Sequence, residues 1–452
     1  MYDTIAIEDL KKPAVALVNK DFVTDGKAAA QSQGMPNIRI VSETVPCECK
    51  IPADIEAGVN AAMSDVIAAL TKPLTVAEKS PQARVEELPR TAFKGTLAEM
   101  NRFFYIRGWT DGFPVTPPTD EAVVEMLTGT DLPPDHIVGK LAPWKGKATV
   151  EKIAVNAVMA GALPTYMPLL IAGVEALLDP FTHYGVLGVS TGSFAPYWII
   201  NGPVRHDLNF NFRSGVLGPG NIANAAFGRA MRLIIQNIGG ARKGIEDMGQ
   251  FGNPAKYTAV LVENEEDSPW EPLHVEQGFR QEDSAVTLFF PQSFSQMMSY
   301  GTDDHGLLST VIYNVIPGVR GLFCFLLNPS HAKILGDKGW TKQEVARFIS
   351  EFATAPAYRN WEHWGAPKVP EKWRLASEPT DPIRILNNPE WIRVLVTGGP
   401  GNHIGLLTGG GAAAKGESPT GMDWVTRKVT LPANWDALVK KYKNLVPVWA
   451  RH

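Results

Sequence analysis

Tyr197-Trp-Ile-Ile-Asn-Gly-Pro-Val-Arg-His206 is an apolar run that stops at Asn-Gly-Pro and delivers a histidine a few residues later. A short aromatic and β-branched run bounded by such a turn reads as a buried strand. The theme recurs. Phe323-Cys-Phe-Leu-Leu leads to Asn328-Pro-Ser-His331, and Ile392-Arg-Val-Leu-Val leads to Gly398-Gly-Pro-Gly-Asn-His403. A fourth strand, Tyr257 to Val262, ends in Glu263-Asn-Glu-Glu-Asp267 and runs on to Trp270-Glu-Pro-Leu-His274. In helix-flanked sheets ligands bind beyond the carboxyl ends of strands, where loops and helix N-termini converge. The expectation is a shared rim carrying His206, His274, His331, His403 and the carboxylates Glu263 and Glu266.

Two readings of these histidines stay open. Neutral imidazole is both a metal ligand and an acid/base, so two or three of them could surround a substrate or a divalent metal, with His206, His331 and His403 as the ligand candidates. Alternatively each caps or turns a helix, as His331 would in the first turn of a helix beginning at Pro329. No His-Glu-x-x-His or His-x-His pair is present. His183-Tyr-Gly185 and Ser190-Thr-Gly-Ser193 bring another histidine and hydroxyls to a strand predicted over 185–190, but no Gly-x-Ser-x-Gly elbow supports serine hydrolysis. The glycine-rich entry Arg213–Asn221 to a helix over 221–238 is an anion candidate, where Arg205, Arg213 and Arg229 could receive a carboxylate with Arg213 leading, though solvated surface arginine is the commoner fate; Asn201 is a further substrate-binding candidate. Trp109 and Asp111 in the Pro-rich loop 108–119, and Trp270, could frame the substrate; such loops also merely join helices. No P-loop or Gly-x-Gly-x-x-Gly fingerprint follows a first strand, so no nucleotide cofactor is expected.

Further helices are expected at 95–107, 119–129, 149–160, 164–178 and 341–354, the last opened by a Thr341–Glu344 capping box. Further strands are expected at 285–290. The N-terminal part reads differently. Strands at 13–19 and 37–42 alternate with helices, the second marked by Ile55, Val59, Met63, Val66, Ile67 and Leu70 at helical spacing. Two strands are too few for a stable sheet, so residues 1–75 look like a Rossmann-like half-domain. A polar linker over 76–92 leads to a large mixed domain over 93–452. The fold class is α/β or α+β.

With 452 residues, 44% hydrophobic and 20% charged, the chain is globular. A net charge of −4 argues against a nucleic-acid binder. The apolar stretch 153–178 is broken by Asn156, Pro164, Pro168 and Glu175, so no membrane span is expected. Three cysteines and no apolar N-terminal region point to the cytoplasm. Cys47-Glu-Cys49 follows the second strand; paired thiols there are small hydrophobes, a nucleophile with its resolver, or soft-metal ligands.

Val18–Phe22, Gly34–Pro46 and Ala62–Pro73 resemble the second half of the UGSC-type (seleno)protein domain, itself reminiscent of the selenocysteine subunit of glycine reductase component B. Gly108–Val115, Ala148–Gly161, Asn201–Pro203, Glu263–Glu266 and Ser268–Glu276 resemble the long region attached to some members. The family's Sec/Cys-Gly-Ser-Cys lies upstream of the retained half and is not found here, so its chalcogen maps to no residue of this sequence. The resemblance implies a partner chain supplying that half-domain, or chemistry that has moved into the large domain. The first functional reading is lysis, hydration or hydrolysis of a small carboxylated or carbonyl-bearing molecule, with His183, Glu263, Glu266, His274 and His403 as acid/base candidates. The alternatives are thiol-dependent reductive cleavage using Cys47 or Cys49 with the partner, and a non-catalytic scaffold subunit.

Overall fold

The computed structural model describes residues 2–32, 34–46, 49, 51–79, 90–316, 321–359, 378–410 and 422–443. The N-terminal segment contains α1 (Tyr2–Asp9), β1 (Ala16–Asn19), α2 (Val23–Ser32), β2 (Ile40–Glu43), α3 (Pro52–Thr71) and α4 (Val76–Lys79). Strands β1 and β2 pair in parallel, Ala16 opposite Ile40, and among the described residues no third strand joins them. Helix α3 buries Ala62 and sets Gly58 against Val45, while Ile55, Val59, Met63, Ile67 and Leu70 stay exposed. The apolar stripe read from the spacing therefore faces outward, because two strands offer too narrow a surface to cover both sides of a 20-residue helix. Helix α4 lies inside the expected linker but is tied to β2 by the Arg39–Glu78 pair at 2.9 Å.

The large region opens with α5 (Leu97–Ile106), α6 (Asp120–Leu127), the hairpin β3 (Ile137–Leu141)–β4 (Gly146–Thr149), α7 (Val150–Met159), α8 (Met167–Leu178) and the single turn α9 (Tyr184–Leu187). The strand expected at 185–190 is thus a helical turn. His183, in the left-handed region at φ 50°, joins the 3-10 turn Pro180–Thr182 to this helical turn, so the chain here is coiled and not extended. Next come β5 (Tyr197–Asn201), α10 (Val204–Asp207), α11 (Ile222–Ile234), β6 (Val260–Val262), α12 (Leu273–Glu276), β7 (Ala285–Phe289) and β8 (Ser293–Met298). The rest is α13 (Asp304–Asn314), β9 (Leu322–Leu327), α14 (Pro329–Asp337), α15 (Lys342–Phe352), the β10 (Thr354–Pro356)–β11 (Pro382–Arg384) ribbon, β12 (Ile392–Val396), β13 (His403–Gly410), β14 (Val425–Lys428) and α16 (Trp435–Tyr442). Thr341 and Glu344 form the expected capping box of α15.

Two four-stranded sheets, ordered β6-β5-β7-β14 and β12-β9-β13-β8, have the same strand directions. In each the central strand pairs in parallel with its edge neighbour (β5 with β6, β9 with β12) and antiparallel with the next (β7, β13). The fourth strand comes from the other unit: β8 follows β7 in the chain but pairs with β13, and β14 follows β13 but pairs with β7. This is a duplicated topology with exchanged last strands, which no fixed-period repeat in the sequence announces.

Strand alternation turns this order into four layers. Tyr197, Ile199 and Leu261 of one sheet meet Leu322, Cys324, Leu326 and Leu407 of the other between the sheets. Trp198, Ile200, Val286 and Leu288 face α7, α8 and α11. Phe323, Phe325, Leu327 and Val394 face α13, α14 and α15. Each such side chain, fully buried, contributes about 1.5–3 kcal/mol. None of the described helices is long and apolar enough to cross a membrane.

Candidate functional site

The sheets meet at the carboxyl ends of β6 and β12. Asn264 N donates to Val396 O at 2.8 Å, and Thr397 Oγ1 donates to Val262 O at 2.7 Å. Beside this seam a cavity of about 790 Å³ opens between the sheets. Tyr197 and Leu261 wall it on one side, Phe294, Gln296 and Leu326 on the other. Two glycine-rich loops, 214–218 and 398–402, and His403 complete it. The loops touch: a Cβ on Gly399 would lie 1.8 Å from Ser214 Oγ, so only glycine fits, and Gly398 N donates to Phe212 O at 3.0 Å. Among the described residues the lining contains no Lys, Arg, Asp or Glu; its polar groups are backbone amides, hydroxyls, the amides of Gln296, Asn328 and Asn402, and His403.

Asn328 organises this rim. As N-cap of α14, ahead of Pro329, its Oδ1 accepts the His331 N–H at 3.0 Å. Its Nδ2 lies 3.0 Å from His331 Nδ1, 3.0 Å from Gly401 O and 3.1 Å from His403 O. Since Oδ1 is committed to a backbone N–H, Nδ2 donates to His331 Nδ1, and a neutral His331 carries its proton on Nε2. Burial lowers the pKa of His331, with a hydrogen bond to Asn402 opposing and neighbouring His403 adding to the depression. A neutral imidazole therefore sits behind the exposed His403 at the cavity edge.

The rim of the other sheet is filled. Asn201 Nδ2 donates to Glu263 Oε2 at 2.6 Å and to Glu265 Oε1 at 3.1 Å. Glu263 is fully buried, also accepts from Leu273 N at 2.8 Å, and faces Lys342 Nζ at 3.3 Å. Lys342 further donates to Glu271 O at 2.7 Å and pairs with Glu276 at 3.2 Å. Burial works against the Lys342 cation, but Glu263 and Glu276 outweigh it and raise its pKa; burial raises that of Glu276 against the pull of Lys342. Arg205 joins Glu265 and Glu266 at 3.0 and 2.9 Å, and His206 joins Glu266 at 2.7 Å. Burial would lift Glu266, yet the hydrogen bonds from Arg205 and His206 hold it at about 2. His274 is wholly buried on α12, with neither ring nitrogen hydrogen-bonded.

Asn201, Glu263, Glu266, His274 and His206 thus gather at the filled rim, whereas His403 lines the cavity and His331 is buried behind Asn328. His183 is half-buried at its turn. Asp111 is held by Arg229 at 2.8 Å; Trp109 packs edge-on against Phe103 and Phe104; Trp270 donates to Trp340 O at 2.7 Å. Each of these three ties a loop to its neighbours, and none lines the cavity. Arg213 is exposed over the Phe212 ring, and Asn221 Oδ1 already caps α11 through Ala223 and Asn224. Cys47 lies outside the described residues, Cys49 is half-buried, and Cys324 is buried between the sheets, where burial raises its thiol pKa. Among the described residues no three His, Cys, Asp or Glu side chains are grouped to hold a metal ion. Asn328 and Asn402 stand in the quoted strand-exit motifs but are not among the candidate site residues, and Gln296 carries no signal in the sequence. Asn-Pro at a strand exit signalled a cap, but not a hub.

The UGSC family model matches residues 1–72. No curated protein and no solved structure matches the chain. The match coincides with α1 through α3 and ends before the two-sheet body. Over residues 1–72 the chain is thus similar to the UGSC family, and the larger two-sheet region that holds the cavity follows this stretch.

Proposed function

We propose that this protein is a cytoplasmic enzyme, or a subunit of one, performing acid/base chemistry on a small carbonyl- or carboxyl-bearing molecule in the cavity between the sheets. The supporting observation is the meeting of His403, Asn328 with His331 held behind it, and two interlocked glycine-rich loops at that cavity. Backbone amides of the loops would receive the substrate oxygen, a role that suits a wall without fixed cations. His403 would exchange a proton with the bound molecule, and His331, kept neutral by burial, would set the local field without competing for it. Lysis, hydration and hydrolysis all fit this inventory.

The test is ¹H NMR of the purified chain in D₂O with a panel of 2-oxo, 2-hydroxy and unsaturated short-chain carboxylates and their esters. At least one should exchange a C–H, add water, or be cleaved by the wild type and not by a folded His403→Gln variant. A folded wild type inert toward the whole panel refutes the reading.

A second reading keeps the two-sheet body as one half of a hetero-oligomer engaged in thiol-dependent reductive cleavage. Its support is the exposed apolar stripe of α3 beside a two-stranded sheet in the UGSC segment. A partner chain bearing Cys-Gly-Ser-Cys would cover that stripe and supply strands. A chain that purifies alone as a stable, active homo-oligomer rejects it. A scaffold role falls if His274→Ala or His403→Ala abolishes activity in a folded protein.

A further inference from the structure

The N-terminal segment encloses a second cavity, of about 530 Å³, at the amino ends of β1 and β2. Its volume lies within the ~300–1,000 Å³ of small-molecule sites. Met35 and Ile38 from the approach to β2, with Leu70 and Leu74 at and beyond the end of α3, give it apolar walls. The chain after α3 is folded back to make one of those walls. Arg39 reaches the carbonyls of Ala69, Lys72 and Pro73, the last two at 2.8 Å, and pairs with Glu78 at 2.9 Å. Asn37 Nδ2 donates to Ala77 O at 3.0 Å, and Glu78 accepts from Thr75 N at 2.6 Å. Glu78 is held at about 2 by the Arg39 hydrogen bond and those from Thr75.

The charges around the cavity do not balance. Of its two carboxylates Glu78 is paired with Arg39, which leaves the charge of Glu8, hydrogen-bonded to Ala14 N at 2.6 Å, against four lysines. Its remaining cations, Lys11, Lys12, Lys72 and Lys79, enter no ion pair among the described residues. Arg39, not a lysine, holds the Ala69 carbonyl in the last turn of α3 and the Lys72 and Pro73 carbonyls just beyond it. Four solvated ammonium groups around apolar walls form a funnel that attracts anions and rewards burial of an apolar body.

We propose that this cavity binds an organic anion with an alkyl or aromatic body, its phosphate or carboxylate head among Lys11, Lys12, Lys72 and Lys79 and its body against Met35, Ile38, Leu70 and Leu74. The site is separate from the cavity between the sheets and does not depend on the reading proposed for it.

Isothermal titration of the full-length chain with octyl phosphate, octanoate and inorganic phosphate tests this. At least one amphiphile should bind, about tenfold or more tighter than inorganic phosphate, with affinity falling as salt rises. Whichever head group binds tighter identifies the anion. Lys11→Gln/Lys72→Gln, two exposed positions, should weaken binding about tenfold or more while leaving thermal unfolding unchanged. His403→Gln should bind as the wild type does. The proposal is overturned if neither amphiphile binds, if inorganic phosphate binds as tightly as octyl phosphate, if the lysine variant binds normally, or if His403→Gln abolishes binding.

Discussion

The two sheets share strand order, strand directions and an asparagine at the end of the central strand, yet one rim is solid and the other hollow. In both, that asparagine grips the chain leaving the parallel neighbour: Asn201 holds Glu263 and Glu265 after β6, and Asn328 holds Gly401 and His403 after β12. What differs is the chain being gripped. Residues 263–284 include α12, bring Glu263 and Glu276 onto Lys342 and bury His274. Residues 397–402 are short and glycine-rich, and the space left over them is the cavity. The architecture builds the same socket twice, and the volume and charge of one connection decide which socket is left open.

The solid rim should be the costlier one to break. Lys342→Met leaves Glu263 and Glu276 buried without their cation, and the expected loss is about 3–5 kcal/mol in urea unfolding. Adding Glu263→Gln removes one stranded charge and should recover part of that loss. A single variant costing under about 1 kcal/mol would mean the ion network does not hold this rim together.

Next in size is the pair of asparagines. Asn201→Ala and Asn328→Ala each remove hydrogen bonds from a buried junction, and each should cost about 1–3 kcal/mol. Their effects on the cavity should part company. Asn328→Ala frees the chain that carries His403, so it should weaken binding of any molecule found to occupy the cavity; Asn201→Ala should not. Equal weakening by both would erase the functional difference between the rims.

The sequence revealed the parts of this comparison better than their pairing. Strands β5, β6, β7, β9 and β12 were legible because their runs are almost wholly apolar, Thr287 and Arg393 apart, as sheets buried on both faces require. Strands β8 and β13 were not. Ser293–Met298 exposes most of its side chains on a sheet edge, and His403–Gly410 is half Gly and Thr, so neither shows a strand pattern. The exchange of β8 and β14 is a long-range choice that no local window contains. The histidines and carboxylates at strand ends were read as one rim, but their division into two rims depends on Lys342, far along the chain from Glu263. The outward stripe of α3 misleads for a related reason, since spacing shows that a helix has an apolar face and not whether anything covers it.

A smaller effect concerns acid. Burial depresses the pKa of His331, so the folded protein binds this proton less readily than the unfolded chain. The resulting stability is complete above the unfolded value of about 6.5 and is lost as pH falls from there through the lower folded value. Unfolding measured from pH 7.5 to 5 should show this decline, and His331→Gln should flatten it. An unchanged slope in that variant would assign the decline to another group, and the hollow rim would lose its neutral imidazole.

The smallest effect on stability should accompany the largest on function. His403 is exposed, and only its backbone carbonyl, not its ring, is known to be held by Asn328. His403→Gln keeps that carbonyl and should change stability by no more than about 0.5 kcal/mol. If the hollow rim is where protons move, the same variant should abolish whatever turnover the wild type shows while leaving substrate affinity largely intact, a loss in kcat without a matching change in KM. A scaffold would lose neither. A cavity that only binds would lose affinity at most, because removing an acid/base group from a site without proton transfer leaves no chemical step to slow.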